Sequence, residues 1–396
     1  MRVLVTSSRM PFALAMVRKL AEEGHEVYAA DSFELAPGSH SRYLAGHFVT
    51  PSPRDETEAF VDEVERIAAD GEIDVIVPAF ESVFYLSTQH ERIARVTDPF
   101  FSPFATLLPL HDKAMFERFA TGMGLPMAET VVASSDEELS AALERFPEYF
   151  ARAAFSRGGV SLLTNAGPLA GKVPVADCHP TEANPWLVQR FVEGETFCTY
   201  STVHDGHVTA HCAYSIPRQW KHSTGIQFES IDGAATLEVI ERIVAETGYT
   251  GQISFDFIDS PDGPYLVECN PRATDGALLM SSSQLARGLL EPEADCETVP
   301  AGESIQLDFA VFGGMFESGL KEAPRTLRDL IEIRGSDRGW HDALPNLYSF
   351  LTLARSEGIR HREHSELFVA MAGDISWDGD PIEGMSAADR ELLERA

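Results

Sequence analysis

The sequence predicts an α/β domain followed by an α+β region, and two patterns of apolar residues carry this prediction. In residues 1–80, short apolar runs alternate with amphipathic stretches of helix length, which is typical of a parallel sheet with right-handed crossovers. From Trp186 to Asp308 the alternation is strand-like and surrounds one helical stretch, Ala234 to Gly248. A chain of 396 residues has room for about two or three such domains.

The first domain is predicted to be Rossmann-like. Strands are expected at residues 2–6, 25–31 and 73–78, with helices at 9–22 and 58–69. The turn after the first strand, TSSRMPFA, has no glycine, although a dinucleotide site needs glycines there so that the backbone can approach the pyrophosphate. NAD binding is therefore not expected, even though Asp31 stands where a ribose-binding acid would stand.

The remaining elements are predicted from weaker patterns. A linker rich in Pro and Phe is expected at residues 98–109, helices at 112–123, 326–333 and 346–358, and a strand at 366–373, ELFVAMAG. The predicted domains are 1–108, 109–185, 186–312 and a C-terminal extension, 313–396.

Composition excludes several classes of protein. The formal net charge of −31 argues against binding to nucleic acid or to an anionic membrane, because both need a basic surface. No apolar stretch approaches the roughly 20 residues of a membrane span. The N-terminal segment is interrupted by Arg9, Arg18 and Lys19, so it resembles a strand and helix more than a signal peptide. Five scattered cysteines without a C-x-x-C pair favour a reducing cytoplasm over disulfides or zinc.

Lysine is scarce in this chain, with only five among 31 basic residues. An acidic, lysine-poor surface suits a salt-rich cell, where cations screen the repulsion between like charges. An arginine-biased genome encoding an ordinary acidic protein explains the same composition. In either case, a lysine at a site-like position stands out.

The pattern with the clearest chemistry is GQISFDFIDSPDGPYLVECNPR, residues 251–272, which predicts a β-hairpin turning at Pro261-Asp262-Gly263. If Ser260 and Pro264 close a three-residue loop, Asp256 lies opposite Glu268, and Asn270 shares their face. The alternate residues Phe255, Phe257, Val267 and Cys269 would then point into the core. Two acids and an amide are hard oxygen ligands that suit Mg²⁺, with Mn²⁺ as an alternative. The other interpretation is an exposed hairpin with acids on its solvent side.

The ending E-x-N-P-R, together with Asp256-Phe257, resembles the ATP-grasp enzymes, in the branch of carbamoyl-phosphate synthetase, biotin carboxylase and D-alanine–D-alanine ligase. The resemblance covers roughly residues 1–310. It implies a Rossmann-like pre-ATP-grasp domain followed by a two-subdomain ATP-grasp fold that clamps ATP. It also implies that Asp256, Glu268 and Asn270 bind the Mg²⁺ that bridges the phosphates, and that Arg272 is a cation for phosphate or intermediate.

The same resemblance implies further ATP-binding residues. Lys113, in the helix start His111-Asp112-Lys113, matches a family lysine that binds the phosphates, and Arg152 stands where a second family lysine is expected. The loop Ser156-Arg157-Gly158-Gly159 offers backbone amides and a cation to close over phosphate, where the default alternative is a plain turn. Arginine in place of lysine keeps the charge but changes the geometry, so Arg152 raises the question of efficient ATP use.

A hinge that grips adenine and ribose is expected at residues 186–195, WLVQRFVEGE. Its candidate residues are Gln189 for the adenine amine, backbone groups around Phe191 and Val192, and Glu195 for the ribose hydroxyls, with Glu193 as second choice. An ordinary strand ending in an acidic turn is the alternative.

Two further features are candidates for the acceptor substrate. Residues 214–225 contain Arg218, Lys221 and His222, a basic cluster suited to a carboxylate or phosphate. Glu81 follows a first-domain strand at its carboxyl end, where α/β sheets bind ligands, and could grip an amine.

The sequence therefore predicts an ATP- and Mg²⁺-dependent ligase that activates a carboxylate as an acyl phosphate and joins it to an amine. Two alternatives remain open: a bicarbonate-phosphorylating enzyme of carboxylase type, and a regulatory module that binds ATP but turns it over weakly. The expected partners are small-molecule carboxylates and amines, and the sequence leaves a homodimer open.

Overall fold

The computed structural model describes residues 1–155, 162–171, 175, 178–220, 224–308, 328, 333–336, 341–364 and 367–395. The first domain is built on a parallel sheet of five strands in the order β3-β2-β1-β4-β5. The strands are β1 (Arg2–Thr6), β2 (Glu26–Asp31), β3 (Leu44–Val49), β4 (Val75–Pro78) and β5 (Asp98–Pro99). Its helices are α1 (Pro11–Glu22), α2 (Thr57–Asp70), α3 (Ser82–Ser87) and α4 (His90–Ile93).

Strand order decides where a ligand crevice can form in this domain. Successive strands run outward from β1 through β2 to β3, and the chain then returns to place β4 on the other side of β1. The carboxyl ends of β1 and β4 therefore border a crevice, the usual ligand position in an open α/β sheet. Glu81 lies at this edge, three residues beyond the end of β4.

The predicted strands and helices of the first domain lie within about two residues of the observed ones. The linker predicted at 98–109 is wrong, because it contains β5 and most of the helix α5 (Phe104–His111). Phe101, Phe104 and Leu108 are buried in the hydrophobic core, so this segment is part of the packed domain and is not a linker. Strand β3 was not predicted. Its residues alternate between exposed and half-buried, which leaves little apolar signal.

A second sheet has four antiparallel strands in the order β6-β9-β7-β8. These are β6 (Thr130–Ala133), β7 (Tyr149–Ala153), β8 (Leu162–Thr164) and β9 (Trp186–Arg190), with helices α6 (Lys113–Gly122) and α7 (Asp136–Arg145) nearby in the chain. Residues of β7 and β9 share a small core with Leu139 of α7.

The third sheet contains eight strands and carries the predicted metal hairpin at its edge. Its main order is β14-β13-β10-β11-β12-β16-β17, and β15 pairs with β11. The strands are β10 (Glu195–His204), β11 (His207–Trp220), β12 (Thr224–Ile231), β13 (Gly251–Ser260), β14 (Gly263–Asn270), β15 (Glu297–Thr298), β16 (Ser304–Gln306) and β17 (Arg334–Gly335). Helices α8 (Ala234–Thr247), α9 (Gly276–Leu279) and α10 (Ser282–Leu290) accompany it. Because this sheet also takes in β17, it continues beyond residue 312; the four domain limits stay predictions.

The C-terminal part of the chain is helical and packs on the first domain. It forms α11 (Leu344–Glu363), α12 (Leu367–Ala372), a 3₁₀ turn (Gly373–Ile375) and α13 (Ala387–Leu393). The strand predicted at 366–373 is wrong, since Leu367–Ala372 form a helix that packs against α11. A short apolar run has no periodicity that separates strand from helix. The helix predicted at 346–358 lies inside α11, whereas most of 326–333 lies outside the described residues.

One hydrophobic cluster connects the first domain to the hairpin. Phe84 and Phe104 of the first domain's helices belong to the same buried cluster as Phe255 and Phe257 of β13. The hairpin is therefore seated on a packed core. In the part of the chain that the structure describes, no helix is both long and apolar enough to cross a membrane.

Candidate active site

The β13–β14 hairpin brings the two predicted metal-binding acids together. Asp256 pairs with Glu268, and Ser254 pairs with Asn270. The loop predicted between Ser260 and Pro264 is wrong, because Ser260 pairs with Gly263 and only two residues form the turn. A bulge next to Asp256 adds one residue on the β14 side and restores the predicted pairing of the acids.

The bulge also changes which residue enters the core. Val267 was predicted to point inward with Phe255, Phe257 and Cys269, and those three are buried. Val267 is only half-buried, and Leu266 is the residue that packs inside. Where the strand carries one extra residue, the strict alternation of faces is broken, so a prediction made by counting in twos fails at that point.

Two cations from distant parts of the chain reach Glu268. Arg152 Nη1 lies 2.6 Å from Glu268 Oε2, and Lys113 Nζ lies 3.8 Å from the same oxygen. Lys113 also donates a hydrogen bond of 3.2 Å to the carbonyl oxygen of Ala154. Both cationic side chains are only 9% exposed. Their charges therefore act in a poorly solvated space.

The local structure explains how these cations are positioned. Lys113 is the first residue of α6, and Asp112 caps that helix by accepting a hydrogen bond from the Met115 amide at 2.6 Å. Arg152 lies on β7, one of the two inner strands of the second sheet, and donates a second hydrogen bond to the carbonyl of Val267 at 2.8 Å. Arg152 Nε is buried and has no hydrogen-bond partner among the described residues, so it remains available to an acceptor.

The electrostatics of the acidic pair are asymmetric. Burial and the neighbouring Glu268 raise the pKa of Asp256, whereas Lys113 and Arg152 hold the pKa of Glu268 below its usual value in spite of burial. Burial lowers the pKa of Lys113, and Glu268 opposes that change. In the absence of a bound cation, Glu268 is ionised and Asp256 tends to keep its proton. Two close carboxylates that share a proton are a natural place for a divalent cation.

The donor set fits a hard cation with one adjustment. Asp256 and Glu268 offer carboxylate oxygens on one face. Asn270 directs its amide nitrogen toward Glu268 Oε1 at 3.4 Å and its oxygen toward Arg272 at 3.2 Å, so it would have to turn to act as a ligand. Among the described residues no three His, Cys, Asp or Glu side chains are grouped to hold a metal ion. Any ion here would therefore rely on phosphate or water oxygens as well.

Arg272 faces the first domain. Its Nε lies 3.3 Å from Glu81 Oε1, and its guanidinium stacks 4.9 Å from the centre of the Phe80 ring. Glu81 is 1% exposed and also accepts a hydrogen bond of 2.9 Å from the Trp377 amide. The carboxylate predicted to grip an amine is thus already bound to Arg272 and to the C-terminal segment.

Sequence reasoning missed several residues at this site. Asp275 follows the N-P-R motif, and burial raises its pKa to about 7, with Arg272 opposing the shift. Cys198 pairs with Asp256 on the neighbouring strand, and its thiol opposes the rise in the pKa of that acid. Thr274 Oγ1 lies 2.8 Å from Ser254 Oγ. The signal for Asp275 was its position three residues beyond Arg272, whereas Cys198 depended on strand pairing alone.

The hinge residues are placed between the second and third sheets. Gln189 is buried in β9, and its amide nitrogen donates to Thr130 Oγ1 at 3.1 Å. The Phe191 amide donates to the Glu148 carbonyl at 3.0 Å, and Val192 is half-buried. Glu193 and Glu195 are exposed. Their roles toward adenine and ribose stay predictions.

The remaining candidates are less well defined by the structure. Arg218 is half-buried on β11, opposite Gln227 and between two irregularities of the strand pairing. Residues 156–159 of the predicted phosphate loop (Ser156, Arg157, Gly158, Gly159) and Lys221 with His222 lie outside the described residues.

Comparison with solved structures identifies the fold. N5-carboxyaminoimidazole synthetase from Staphylococcus aureus, complexed with ADP, superposes with a TM-score of 0.60 at 11% identity, covering 82% of this chain and 86% of that chain. Glycinamide-RNase-transformylase T from Mycobacterium tuberculosis gives 0.55 at 18% identity, covering 77% and 84%. The chain has the ATP-grasp fold.

A third similar structure is the biotin carboxylase domain dimer of Hydrogenobacter thermophilus 2-oxoglutarate carboxylase, in complex with MgADP, ADP and bicarbonate. Its TM-score is 0.55 at 14% identity, covering 76% of this chain and 73% of that chain. No protein-family model and no curated sequence matches this chain. The similar solved structures confirm the fold that the ATP-grasp resemblance implied.

Proposed function

We propose that this protein is an ATP- and Mg²⁺-dependent ligase that activates a carboxylate as an acyl phosphate and joins it to an amine. The observation that carries the proposal is the convergence of Lys113 and Arg152 on Glu268, beside Asp256. Two acids and two cations thus share one poorly solvated space, and Mg²⁺ together with nucleotide phosphate would match both signs of charge.

Charge balance supports MgATP over either component alone. Mg²⁺ by itself would bring a positive ion toward a carboxylate that already lies within 4 Å of two cations. ATP by itself would bring phosphate toward Asp256 and Glu268. When both bind, the acids can hold Mg²⁺, while Lys113 and Arg152 turn to the phosphates. The structures of similar fold that contain ADP or MgADP support this choice of nucleotide.

The chemistry follows from this placement. A substrate carboxylate oxygen attacks the γ-phosphorus of ATP, the bond to the β–γ bridging oxygen breaks, and ADP leaves. Lys113, Arg152 and Arg272 stabilise the charge on the transferred phosphoryl group, and bound Mg²⁺ supplies further neutralisation of the phosphate oxygens. The amine then attacks the acyl carbon, phosphate leaves, and the nitrogen loses a proton.

Asp275 is the residue that we propose to accept that proton. Its pKa of about 7, raised by burial, suits a base that works near neutral pH. Arg272, which opposes the pKa shift of Asp275, also donates a hydrogen bond to Asn270. Glu81 is less suited to this role because Arg272 and the Trp377 amide already use its oxygens.

One observation favours a catalytically weak ATP-binding module as second candidate. Arg152 stands where the ATP-grasp resemblance implies a lysine, and two of its nitrogens donate hydrogen bonds to Glu268 and to the Val267 carbonyl. If this pairing persists when nucleotide binds, one phosphate cation is lost and turnover is slow.

The test is ADP release with MgATP against pools of carboxylic acids and amines, run in dilute buffer and in molar KCl. Release that requires both an acid and an amine supports the ligase. Release that requires only bicarbonate supports the carboxylase alternative. Binding of MgATP without ADP release in any pool contradicts the ligase and supports the weak module. Loss of structure in dilute buffer would support a salt-adapted protein.

A further inference from the structure

The segment of residues 373–380, named the C-terminal strap here, crosses the carboxyl edge of the first-domain sheet. Asp374 accepts hydrogen bonds from Arg9, at 2.7 and 2.9 Å, and from Ser32 at 2.6 Å. The Tyr85 hydroxyl donates to the Ser376 carbonyl at 2.7 Å. Arg9 follows β1, and Ser32 follows β2. The strap therefore lies at the end of the sheet where open α/β domains bind their ligands.

Trp377 is the largest buried side chain of the strap, with 2% of its surface exposed. Its ring packs against Phe84 and Phe104 of the first domain, with centroid distances of 4.9 and 5.5 Å. It also contacts His111 and Phe155, each with a centroid distance of 5.7 Å. The indole N–H donates to the Asp380 carbonyl at 2.7 Å, which fixes the ring orientation.

The contacts of Trp377 with His111 and Phe155 connect it to the chain segments around Lys113. His111 directly precedes Asp112, the cap of the helix that begins at Lys113. Phe155 directly follows Ala154, whose carbonyl accepts the hydrogen bond from Lys113. The Trp377 ring therefore supports both chain segments that hold Lys113 in place.

The backbone amide of Trp377 is connected to Arg272 through Glu81. Its amide donates to Glu81 Oε2 at 2.9 Å, and Glu81 Oε1 is the partner of Arg272 Nε at 3.3 Å. Arg272 in turn donates to Asn270 at 3.2 Å. Trp377 thus contacts the residues next to those that position Lys113, and it also contacts Glu81, the partner of Arg272.

Gly379 gives independent support for a close fit between strap and site. Its φ is +89°, and a Cβ built there would lie 2.8 Å from ring atoms of Phe155. A side chain at this position would be both strained and in collision with Phe155. The strap backbone is consequently packed directly onto the residue that follows Ala154.

We propose that Trp377 is a positioning residue that sets Lys113 and Arg272 for MgATP binding and transfer. The inference rests on the proposed function, because it treats these two cations as parts of a nucleotide site. Trp377 touches neither of them directly and acts through His111, Phe155 and Glu81.

The experiment uses the full chain in four forms: wild type, Trp377→Leu, Trp377→Phe, and Phe60→Leu. Phe60 is a buried aromatic of the same core, on α2, so Phe60→Leu controls for a general loss of packing. MgATP affinity is measured by calorimetry and each melting temperature is recorded. Tryptophan emission is followed during MgATP titration, and the difference between wild type and Trp377→Phe isolates the signal of Trp377.

We expect Trp377→Leu to weaken MgATP binding by about tenfold or more, the loss produced by one misplaced phosphate cation. Trp377→Phe should bind within about threefold of wild type, because it keeps an aromatic ring in contact with His111 and Phe155. Phe60→Leu should bind like wild type even if its melting temperature falls. MgATP should change the emission of Trp377 itself.

Equal MgATP affinity in Trp377→Leu and Phe60→Leu overturns the inference. If Trp377→Leu does not fold, the emission measurement decides. The inference is then overturned if MgATP changes the emission of wild type and of Trp377→Phe equally, because Trp377 would then not respond to the nucleotide. Failure of wild type to bind MgATP at all overturns the proposed nucleotide site, and the inference with it. Binding by wild type with unaffected variants overturns only the role of Trp377.

Discussion

Replacing Glu268 by alanine tests the centre of the site. The substitution removes the carboxylate that faces Arg152 at 2.6 Å and Lys113 at 3.8 Å, and leaves two cations whose side chains are 9% exposed. Loss of one partner from a buried ion pair costs about 3–5 kcal/mol. Asp256 offsets part of this cost: once the neighbouring charge is gone, its pKa falls and it ionises on the same face. We expect a net loss of about 1–3 kcal/mol and a folded protein.

The effect on activity should be much larger than the effect on stability. Removing a Mg²⁺-binding carboxylate should lower MgATP turnover by at least about 10²- to 10³-fold, the range for loss of one transition-state electrostatic group. The assay is ADP release at saturating Mg²⁺, with unfolding followed in urea. Asp262→Ala, in the exposed turn of the same hairpin, is the matched control and should behave as wild type. Wild-type turnover by Glu268→Ala with metal supplied would refute the metal site.

Substitutions at three further positions test other parts of the site. Burial raises the pKa of Asp275 to about 7, so wild-type kcat/KM should rise with pH up to about pH 7 and level off above it. Asp275→Asn should abolish this rise. A pH–rate profile that Asp275→Asn leaves unchanged would contradict the role of Asp275 as the base. Arg152→Lys should keep turnover within about tenfold, since charge is retained, while Arg152→Met should lose about 10²-fold or more in kcat/KM for ATP; equal activity of the two variants would show that the charge is not used. Gly194→Ala should destabilise the protein by about 1–3 kcal/mol, because the new Cβ would lie 2.1 Å from the Asp259 carbonyl oxygen. Unfolding is followed in urea, and an unchanged midpoint of unfolding would contradict the close approach of Gly194 to Asp259.

Local pattern was enough for much of the fold and for the acidic face. Strands β1, β2 and β4 follow from short apolar runs, and the pairing of Asp256 with Glu268 follows from the hairpin and the period of two. The pairing was predicted with the wrong loop length, and the bulge compensated for the missing loop residue. Short apolar segments were predicted least well, because a strand and a helix can both bury such a run. The segment Leu367–Ala372 is an example, since it forms a helix and not the predicted strand.

The sequence by itself determined that Asp256 lies opposite Glu268, where β1, β2 and β4 lie along the chain, and which short motifs resemble ATP-grasp enzymes. Only the tertiary structure decided that Arg152 and Lys113 meet Glu268, and that Trp377 contacts Glu81, across 296 positions of sequence. Periodicity is local and reports the direction of a side chain relative to its own element. Contacts between elements depend instead on how separate sheets pack on a shared core, which is a property of the folded chain as a whole.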